Sequence, residues 1–145
     1  HVFRTGSAKV KAANVHWLGR VSDGEMAALL QESLCLAFPS LTEGFGLPVL
    51  EAMALGCPVV VSDRASLPEI CGDAALYAPC DDPQAWLDSF ARLRDGRTVA
   101  QMAAKGRARA LAYSWRATAR RYLAAMAVAD GVPTEAENVP ADAVT

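Results

Sequence analysis

Short apolar runs alternate along this chain with stretches in which apolar residues recur at helical spacing. The runs are four or so residues long and end at Gly or Pro, a length and punctuation typical of β-strands. A continuous run such as Leu34 to Phe38, stopped by Pro39, favours a strand covered on both faces. The predicted strands are Val15 to Leu18, Leu34 to Phe38, Val59 to Val61 and Ala75 to Ala78.

Helix-start and helix-stop signals lie between these strands. Ser22-Asp-Gly-Glu25 and Ser66-Leu-Pro-Glu69 both have the capping-box pattern, in which a Ser hydroxyl and a Glu carboxylate satisfy free backbone N–H groups. Pro48 suits the first turn of a helix that ends at Gly56. Each predicted strand is therefore followed by a predicted helix.

The second half of the chain is predicted to be helical. A stripe of apolar residues follows Pro83, a second helix is expected around 98–112 after Gly96, and Ser114 is expected to cap a last helix. The first stripe consists of Trp86, Leu87, Phe90 and Leu93, and the last helix has one face of Trp115, Ala119, Tyr122, Leu123 and Met126.

This order of elements predicts an α/β fold with a Rossmann-like, doubly wound parallel sheet that ends in a run of helices. We expect one domain over residues 15–130. Residues 1–14 read as a lead-in from a missing upstream part, since the chain starts at His1 without Met or a signal peptide. The small, polar residues 131–145 are expected to form a disordered tail.

Composition narrows the class of protein. The 145 residues carry a net charge of −2, which gives no general attraction to nucleic acid. No apolar run approaches the ~20 residues that span a bilayer. The four cysteines lack C-x-x-C spacing, so we expect buried thiols in a reducing cytosol rather than a zinc site or a disulfide framework.

Charge is nevertheless uneven along the chain. Residues 92–121 contain nine Lys or Arg and one acid, Asp95. Two interpretations stay open: a contact with an anionic membrane surface, or solvated helix faces.

The expected ligand position follows from the fold class. Ligands of open α/β sheets bind beyond the carboxyl ends of the strands. The loops Gly19 to Ser22, Ser40 to Pro48 and Ser62 to Pro68 follow predicted strands, so we expect them to line one crevice.

The middle loop carries the most informative pattern, Glu43-Gly-Phe-Gly46-Leu-Pro48 with Glu51 one turn later. The glycines allow backbone to approach a ligand, and the following helix start presents free N–H groups and a positive dipole end to an anion. The flanking carboxylates are good acceptors for sugar hydroxyls. The combination indicates a nucleotide sugar, whereas the plainer alternative is two surface acids that only the helix dipole favours.

The whole set of motifs resembles glycosyltransferase family 4, the glycosyl transferases group 1. The Glu43-(seven residues)-Glu51 pair, with Gly-Phe-Gly-Leu-Pro inside it and Glu-Ala-Met-Ala-x-Gly-x-Pro-Val-Val overlapping it, is similar to the E-x7-E signature of this family. The resemblance extends from Val15 to about Ala125. It includes Leu18-Gly19, Phe38-Pro39-Ser40, Ser66-Leu-Pro-Glu69, Gly72-Asp-Ala-Ala-Leu76 and Tyr113-Ser-Trp115.

The resemblance implies the C-terminal, donor-binding half of a GT-B fold and assigns roles to residues. Glu43 would lie against the donor sugar as the catalytic residue, and Glu51 would bind the ribose hydroxyls. Backbone of the Gly-Phe-Gly-Leu segment would hold the sugar and diphosphate, and backbone before the first helix would meet the base. The implied donor-binding residues are Gly44, Phe45, Gly46, Leu47, Glu51, Arg20 and Val21.

The resemblance also implies an activity for the intact parent. It would be a retaining hexosyltransferase of polysaccharide biosynthesis, mannosyltransferase-like, that uses a GDP- or UDP-linked sugar and no metal or other cofactor. A missing N-terminal domain would bind a carbohydrate or lipid-linked acceptor, with nucleic acid excluded as a partner. We expect a cytoplasmic protein with peripheral contact at the inner membrane face. The fragment alone is expected to be inactive.

Some residues depart from the family or are assigned no function. Many members have Gly-Gly where this chain has Ala65-Ser66, and Arg4 and Lys9 lie too close to Glu43 to be the family's diphosphate clamp. The remaining candidates are His16, with core or edge packing expected, and Glu69, with a capping role expected. For Asp63, which ends a strand at the crevice, a turn role and a ligand contact both stay open.

Two other functions are alternatives to this interpretation. The first is a non-catalytic half-domain that binds a nucleotide or a partner chain. The second, a dinucleotide-dependent oxidoreductase, lacks the expected G-x-G-x-x-G after a first strand.

Overall fold

Helices and strands alternate up to residue 77, and helices follow from there. The structure is a computed structural model and describes residues 13–129. Its elements are α1 (Asp23–Glu32), β1 (Leu36–Phe38), α2 (Leu47–Leu55), β2 (Val59–Val61), α3 (Leu67–Cys71), a 3-10 turn (Gly72–Ala74), β3 (Leu76–Tyr77), α4 (Pro83–Arg92), α5 (Gly96–Leu111) and α6 (Trp115–Ala129).

The three strands form a parallel sheet in the order β1-β2-β3. Leu36 pairs with Val59, and Val61 pairs with Tyr77. The three valines of β2 are completely buried, as expected for a central strand of a parallel sheet. The predicted α/β fold with a parallel sheet is confirmed.

Helices cover both faces of the sheet. Val59 and Val61 point to one face, where they join the cluster formed with α2 and α3. Val60 points to the other face and packs with Leu93 and Met102. This alternation follows from the two-residue period of a strand, and it shows the doubly wound arrangement expected from the sequence.

Close packing of α2 on α5 depends on a glycine. A Cβ added at Gly106 would lie 3.3 Å from the Met53 Cγ and 3.4 Å from its Cβ, and Met53 is fully buried. The absent side chain lets the two helices approach, and Met53 fills the space between them.

Several predicted helix ends are confirmed. Ser22 N–H donates to the Glu25 carboxylate at 2.8 Å, and Glu25 N–H donates to the Ser22 hydroxyl at 3.3 Å, which completes the capping box. Pro48 lies in the first turn of α2, and left-handed Gly56 ends that helix. The Ser114 hydroxyl accepts the Ala117 N–H at 3.1 Å, so Ser114 caps α6.

The first predicted strand is wrong. Residues 15–19 form no strand in the described chain, and the side chains of Trp17 and Leu18 are 53% and 60% exposed. A strand requires a ladder of hydrogen bonds to a neighbour, and β1 is recorded as pairing with β2 alone within residues 13–129. Packing of His16 in the core or at an edge was also wrong, because His16 is exposed.

The edge position of β1 corrects a second prediction. The strand is Leu36–Phe38, shorter than the apolar run, and Leu34 lies outside it, 49% exposed. Leu36 and Phe38 are half-buried and Ala37 is exposed, so the strand is not buried on both faces. In α4, Leu87 likewise points to solvent at 58% exposure, so the predicted apolar stripe is narrower than its sequence suggested.

The predicted burial of the cysteine thiols is confirmed for two of the four. All four are free; Cys57 and Cys71 are buried, and Cys35 and Cys80 are half-buried. Burial raises the pKa of the Cys35 and Cys71 thiols to about 11, so both stay protonated at neutral pH.

The predicted lead-in and tail fall largely outside the described residues, as do Arg4 and Lys9. Within residues 13–129, no helix has the length and apolarity that crossing a membrane requires. The helix α6 contains no buried residue, and its Trp115 is 81% exposed.

We predict that Gly106→Val destabilises the chain by about 2 kcal/mol, because the added side chain would overlap Met53 in a packed interface. Urea unfolding followed by circular dichroism measures this change. Gly24→Ala is the matched control: its Cβ would meet nothing within 4 Å, so it should be neutral or slightly stabilising. Equal stability of Gly106→Val and the wild type would contradict the packing.

Candidate functional site

A left-handed glycine forms the start of α2. Gly46 is the N-cap residue with φ 91° and ψ 38°. Only glycine adopts this conformation without strain. A Cβ at this position would also lie 3.2 Å from the Leu67 Cδ2. Backbone conformation and space therefore both require glycine here.

The N-terminus of α2 keeps an open hydrogen-bond donor. The Gly46 N–H donates to Glu43 Oε1 at 3.1 Å, and the Val49 and Leu50 N–H groups turn back to the Gly46 carbonyl at 3.0 and 3.2 Å. Pro48 has no N–H. Within the described chain, the Leu47 N–H has no recorded acceptor. With no side-chain cap at Gly46, this helix end presents positive potential and a free donor to solvent.

The two acids of the motif differ in their surroundings. Glu43 is half-buried, and one of its carboxylate oxygens is held by the Gly46 N–H, which leaves the other oxygen available. Glu51 is exposed on α2, one turn after the helix start. The structure thus places an acid on each side of the helix start along the chain. Their roles toward a ligand stay predictions.

The surface beside this helix start is open and partly apolar. Phe45 and Leu47 are 43% and 48% exposed. A Cβ at Gly44 would meet nothing within 4 Å, so packing does not require a glycine there. The space over Gly44 is consistent with close approach of a ligand.

Two of the three predicted loops come together. The buried Ser62 hydroxyl donates to the Ser40 carbonyl at 2.5 Å, and the Ser66 hydroxyl donates to the Glu43 carbonyl at 3.2 Å. These bonds join the loop before α2 to the loop before α3. The N-terminus of α2 therefore lies at the junction of both loops.

The second capping box is wrong. Ser66 is in the right-handed helical conformation and makes no capping hydrogen bond to α3, because its hydroxyl is used by Glu43. Capping thus does not explain Glu69, whose backbone carbonyl has other partners described below. Asp63 lies in a bend and pairs with Arg64 at 3.5 Å, with both side chains about half exposed. This agrees with the turn interpretation.

Ala65 has a strained backbone conformation. Its φ is 54°, in the left-handed region that costs a residue with a Cβ roughly 1–2 kcal/mol. The strain is located between the strand β2 and the helix that carries Leu67, next to the Gly46 turn.

The third predicted loop precedes α1. Gly19 has φ 68°, Arg20 is exposed, and Val21 is half-buried. The helix α1 that follows this segment packs against α2. Base binding by Arg20 and Val21 stays a prediction.

Sequence reasoning missed two residues beside the loop Ser40 to Pro48, which we call the motif loop. These residues are Arg109 and Tyr113. Arg109 is one of the basic residues interpreted as facing either solvent or a membrane surface, yet it is half-buried and donates to the Ile70 carbonyl at 2.8 Å. Tyr113 was noted as part of a motif without a role, and its ring contacts Phe45. Lys105 is also paired, with Asp73 at 2.7 Å, and this contact lowers the pKa of that carboxyl. The tyrosine in the Tyr-Ser-Trp motif was the available signal.

Comparison with known proteins shows which family this chain is similar to. A sequence profile of the family described as glycosyl transferases group 1 matches residues 7–109. O-antigen chain mannosyltransferase B of Escherichia coli is 40% identical over 102 residues, 70% of this chain and 27% of that protein. The MMP alpha-(1->4)-mannosyltransferase of Mycolicibacterium hassiacum is 37% identical over 115 residues, 76% of this chain and 28% of that protein.

A solved structure agrees with the fold. Sucrose-phosphate synthase from Thermosynechococcus elongatus superimposes with a TM-score of 0.67 at 28% identity, over 78% of this chain and 30% of that one. The chain spans less than a third of the length of each of these three proteins.

We predict that Ala65→Gly stabilises the chain by about 1 kcal/mol, because glycine removes the left-handed strain. Thermal and urea unfolding measure the change. Ala54→Gly, in the exposed part of α2, is the matched control and should destabilise by about 1 kcal/mol. Destabilisation by both substitutions to the same extent would rule out strain at Ala65.

Proposed function

We propose that this chain, which belongs to the glycosyl transferases group 1 family, is the donor-binding half of a retaining GT-B glycosyltransferase. The intact enzyme would move a sugar from a nucleoside diphosphate sugar to an acceptor hydroxyl. The observation that carries this proposal is the uncapped N-terminus of α2, where a left-handed Gly46 leaves the Leu47 N–H open between two acids.

The helix start suits the diphosphate. Phosphate oxygens accept hydrogen bonds from backbone N–H groups and are favoured at the positive end of a helix dipole. The Leu47 N–H supplies such a donor, and the open space at Gly44 admits the ligand close to the backbone. As the sugar leaves, negative charge builds up on the diphosphate, and this helix end stabilises it.

The two acids suit the hydroxylated groups on either side of the diphosphate. The exposed carboxylate of Glu51 is proposed to accept hydrogen bonds from the ribose hydroxyls. The Glu43 carboxylate, fixed by the Gly46 N–H, has an oxygen left to bind the transferred sugar. Glu43 is thus proposed as the catalytic residue, held at the reacting ring by a backbone contact.

The reaction exchanges the glycosyl phosphate bond of the donor for a glycosidic bond to the acceptor. The bond from the anomeric carbon to the diphosphate breaks, and its electron pair leaves with the nucleoside diphosphate. A bond forms to the acceptor oxygen with the configuration retained, and the proton of the acceptor hydroxyl passes to an oxygen of the leaving diphosphate. This chemistry is proposed to proceed without a resident metal or other cofactor.

The relatives suggest the donor and the setting. Both curated relatives described above are named mannosyltransferases, which supports a mannose donor, and we propose GDP-mannose. The O-antigen relative supports a role in polysaccharide synthesis on a carbohydrate or lipid-linked acceptor. The α6 helix carries three arginines and no acid, which supports peripheral contact with an anionic inner membrane face from the cytoplasm.

We predict that Glu51→Ala weakens GDP-mannose binding by about 100-fold, as expected for the loss of two hydrogen bonds to a charged acceptor. Isothermal titration of the 145-residue chain measures the dissociation constant, with UDP-glucose as a comparison ligand. Glu32→Ala, at the exposed end of α1, is the control and should bind as the wild type does.

Variants of Glu43 separate its structural contact from its ligand contact. Glu43→Gln keeps an acceptor for the Gly46 N–H, so its free energy of unfolding should equal that of the wild type, while Glu43→Ala should lose about 1 kcal/mol.

Unchanged GDP-mannose affinity in Glu51→Ala would remove Glu51 from the donor site.

A further inference from the structure

The aromatic residue of the motif loop rests on a tyrosine from outside the loop. The rings of Phe45 and Tyr113 meet edge to face, with centroids 5.8 Å apart and planes at 80°. This is a favourable geometry for an aromatic pair. Tyr113 lies between α5 and α6, about seventy residues further along the chain. Phe45 therefore has a contact with a residue that is distant in sequence.

Tyr113 is itself held in place by Arg109. The Arg109 guanidinium donates to the Tyr113 hydroxyl at 2.9 Å and lies 5.2 Å from the ring centroid. The same guanidinium donates to the carbonyls of Ile70 and Glu69, and the Tyr113 hydroxyl donates to the Glu69 carbonyl at 3.3 Å. These bonds fix both side chains to the C-terminal end of α3.

The short helix α3 thus supports the motif loop from both of its ends. At its N-terminal end, the Ser66 hydroxyl binds the Glu43 carbonyl. At its C-terminal end, the carbonyls of Glu69 and Ile70 hold Arg109, and Tyr113 passes this support to Phe45. Both ends of α3 are therefore connected to the loop, one end to Glu43 and the other, through Tyr113, to Phe45.

Between these two points, the Phe45 side chain and the space at Gly44 lack further packing within the part of the chain that the structure describes. Phe45 is 43% exposed, and the surroundings of Gly44 are open. Fixing an exposed loop before the ligand arrives reduces the conformational entropy that binding would otherwise cost.

We propose that Tyr113, oriented by Arg109, is a positioning residue that fixes Phe45 and pre-organises the loop from Glu43 to Leu47 for the donor. The ligand in this statement rests on the function proposed above. The positioning of the loop rests on the contacts alone.

The first test measures donor affinity. Tyr113→Ala removes the ring, and GDP-mannose should bind about tenfold more weakly. Tyr113→Phe keeps the ring edge on Phe45 and should stay within about threefold of the wild type, because the packing contact survives without the hydroxyl. Tyr122→Ala, in exposed α6, is the matched control and should bind normally.

The second test needs no ligand. Phenylalanines are replaced by 4-fluorophenylalanine, and the Phe45 resonance is identified by its loss in Phe45→Leu. In Tyr113→Ala this fluorine signal should move toward the value of an unstructured peptide, and in Tyr113→Phe it should stay close to the wild type. Hydrogen exchange of the Gly46 amide should accelerate in the alanine variant, since its bond to Glu43 loses support.

The two tests distinguish the two proposals. If the wild type binds no nucleotide sugar, the proposed function fails, while the fluorine spectrum still decides whether Tyr113 positions Phe45. If the wild type binds, normal affinity or an unmoved fluorine signal in Tyr113→Ala overturns the positioning role. Should circular dichroism show that the alanine variant is unfolded, Tyr113→Leu, which keeps volume without an aromatic edge, takes its place with the same expectations.

Discussion

The left-handed turn at Gly46 is the constraint on which the site depends. It directs the chain into α2 without a side-chain cap, so the helix end remains open to solvent. The same turn brings the Gly46 N–H onto the Glu43 carboxylate, which orients that acid. Because Leu67 lies against the position that a Cβ would take, the neighbouring loop can approach only a glycine. The conformation of Gly46 thus determines the orientation of Glu43 and the contact with Leu67 together.

The parallel sheet explains why this arrangement lies at a loop junction. The strands β1 and β2 run side by side in the same direction, so the segments that leave them emerge at the same edge. Serine hydroxyls then join these segments through the carbonyls of Ser40 and Glu43. The helix α5 also supports this junction. It packs on α2 through Gly106, and its Arg109 donates to the Ile70 carbonyl of α3.

The sequence predicted features that local rules determine. The buried valines of β2, the capping box of α1 and the Pro48-to-Gly56 limits of α2 each depend on neighbouring residues, and each is confirmed. The strand at Val15 to Leu18 was wrong because a strand also needs a partner, which a local pattern does not reveal. The Ser66 cap failed for a similar reason: a carbonyl 23 positions earlier competes for its hydroxyl.

The candidate site was also predicted from local patterns, and its roles toward a ligand stay predictions. The Glu43-to-Glu51 segment follows from glycine chemistry and helix electrostatics, which short-range spacing encodes. Its support by Tyr113 and Arg109 was not predicted, because charge counting treats an arginine on a helix as solvated. Long-range contacts of polar side chains were the information that the sequence pattern did not carry.

The central claim is that the open N-terminus of α2 binds the diphosphate of a nucleotide. Titration of the isotope-labelled chain with GDP, followed by amide resonances in two-dimensional NMR spectra, tests this directly. The account predicts saturable shifts that are largest at the Leu47 and Gly46 amides. Shifts that are absent there, or that are largest at a distant surface such as α4, would contradict it.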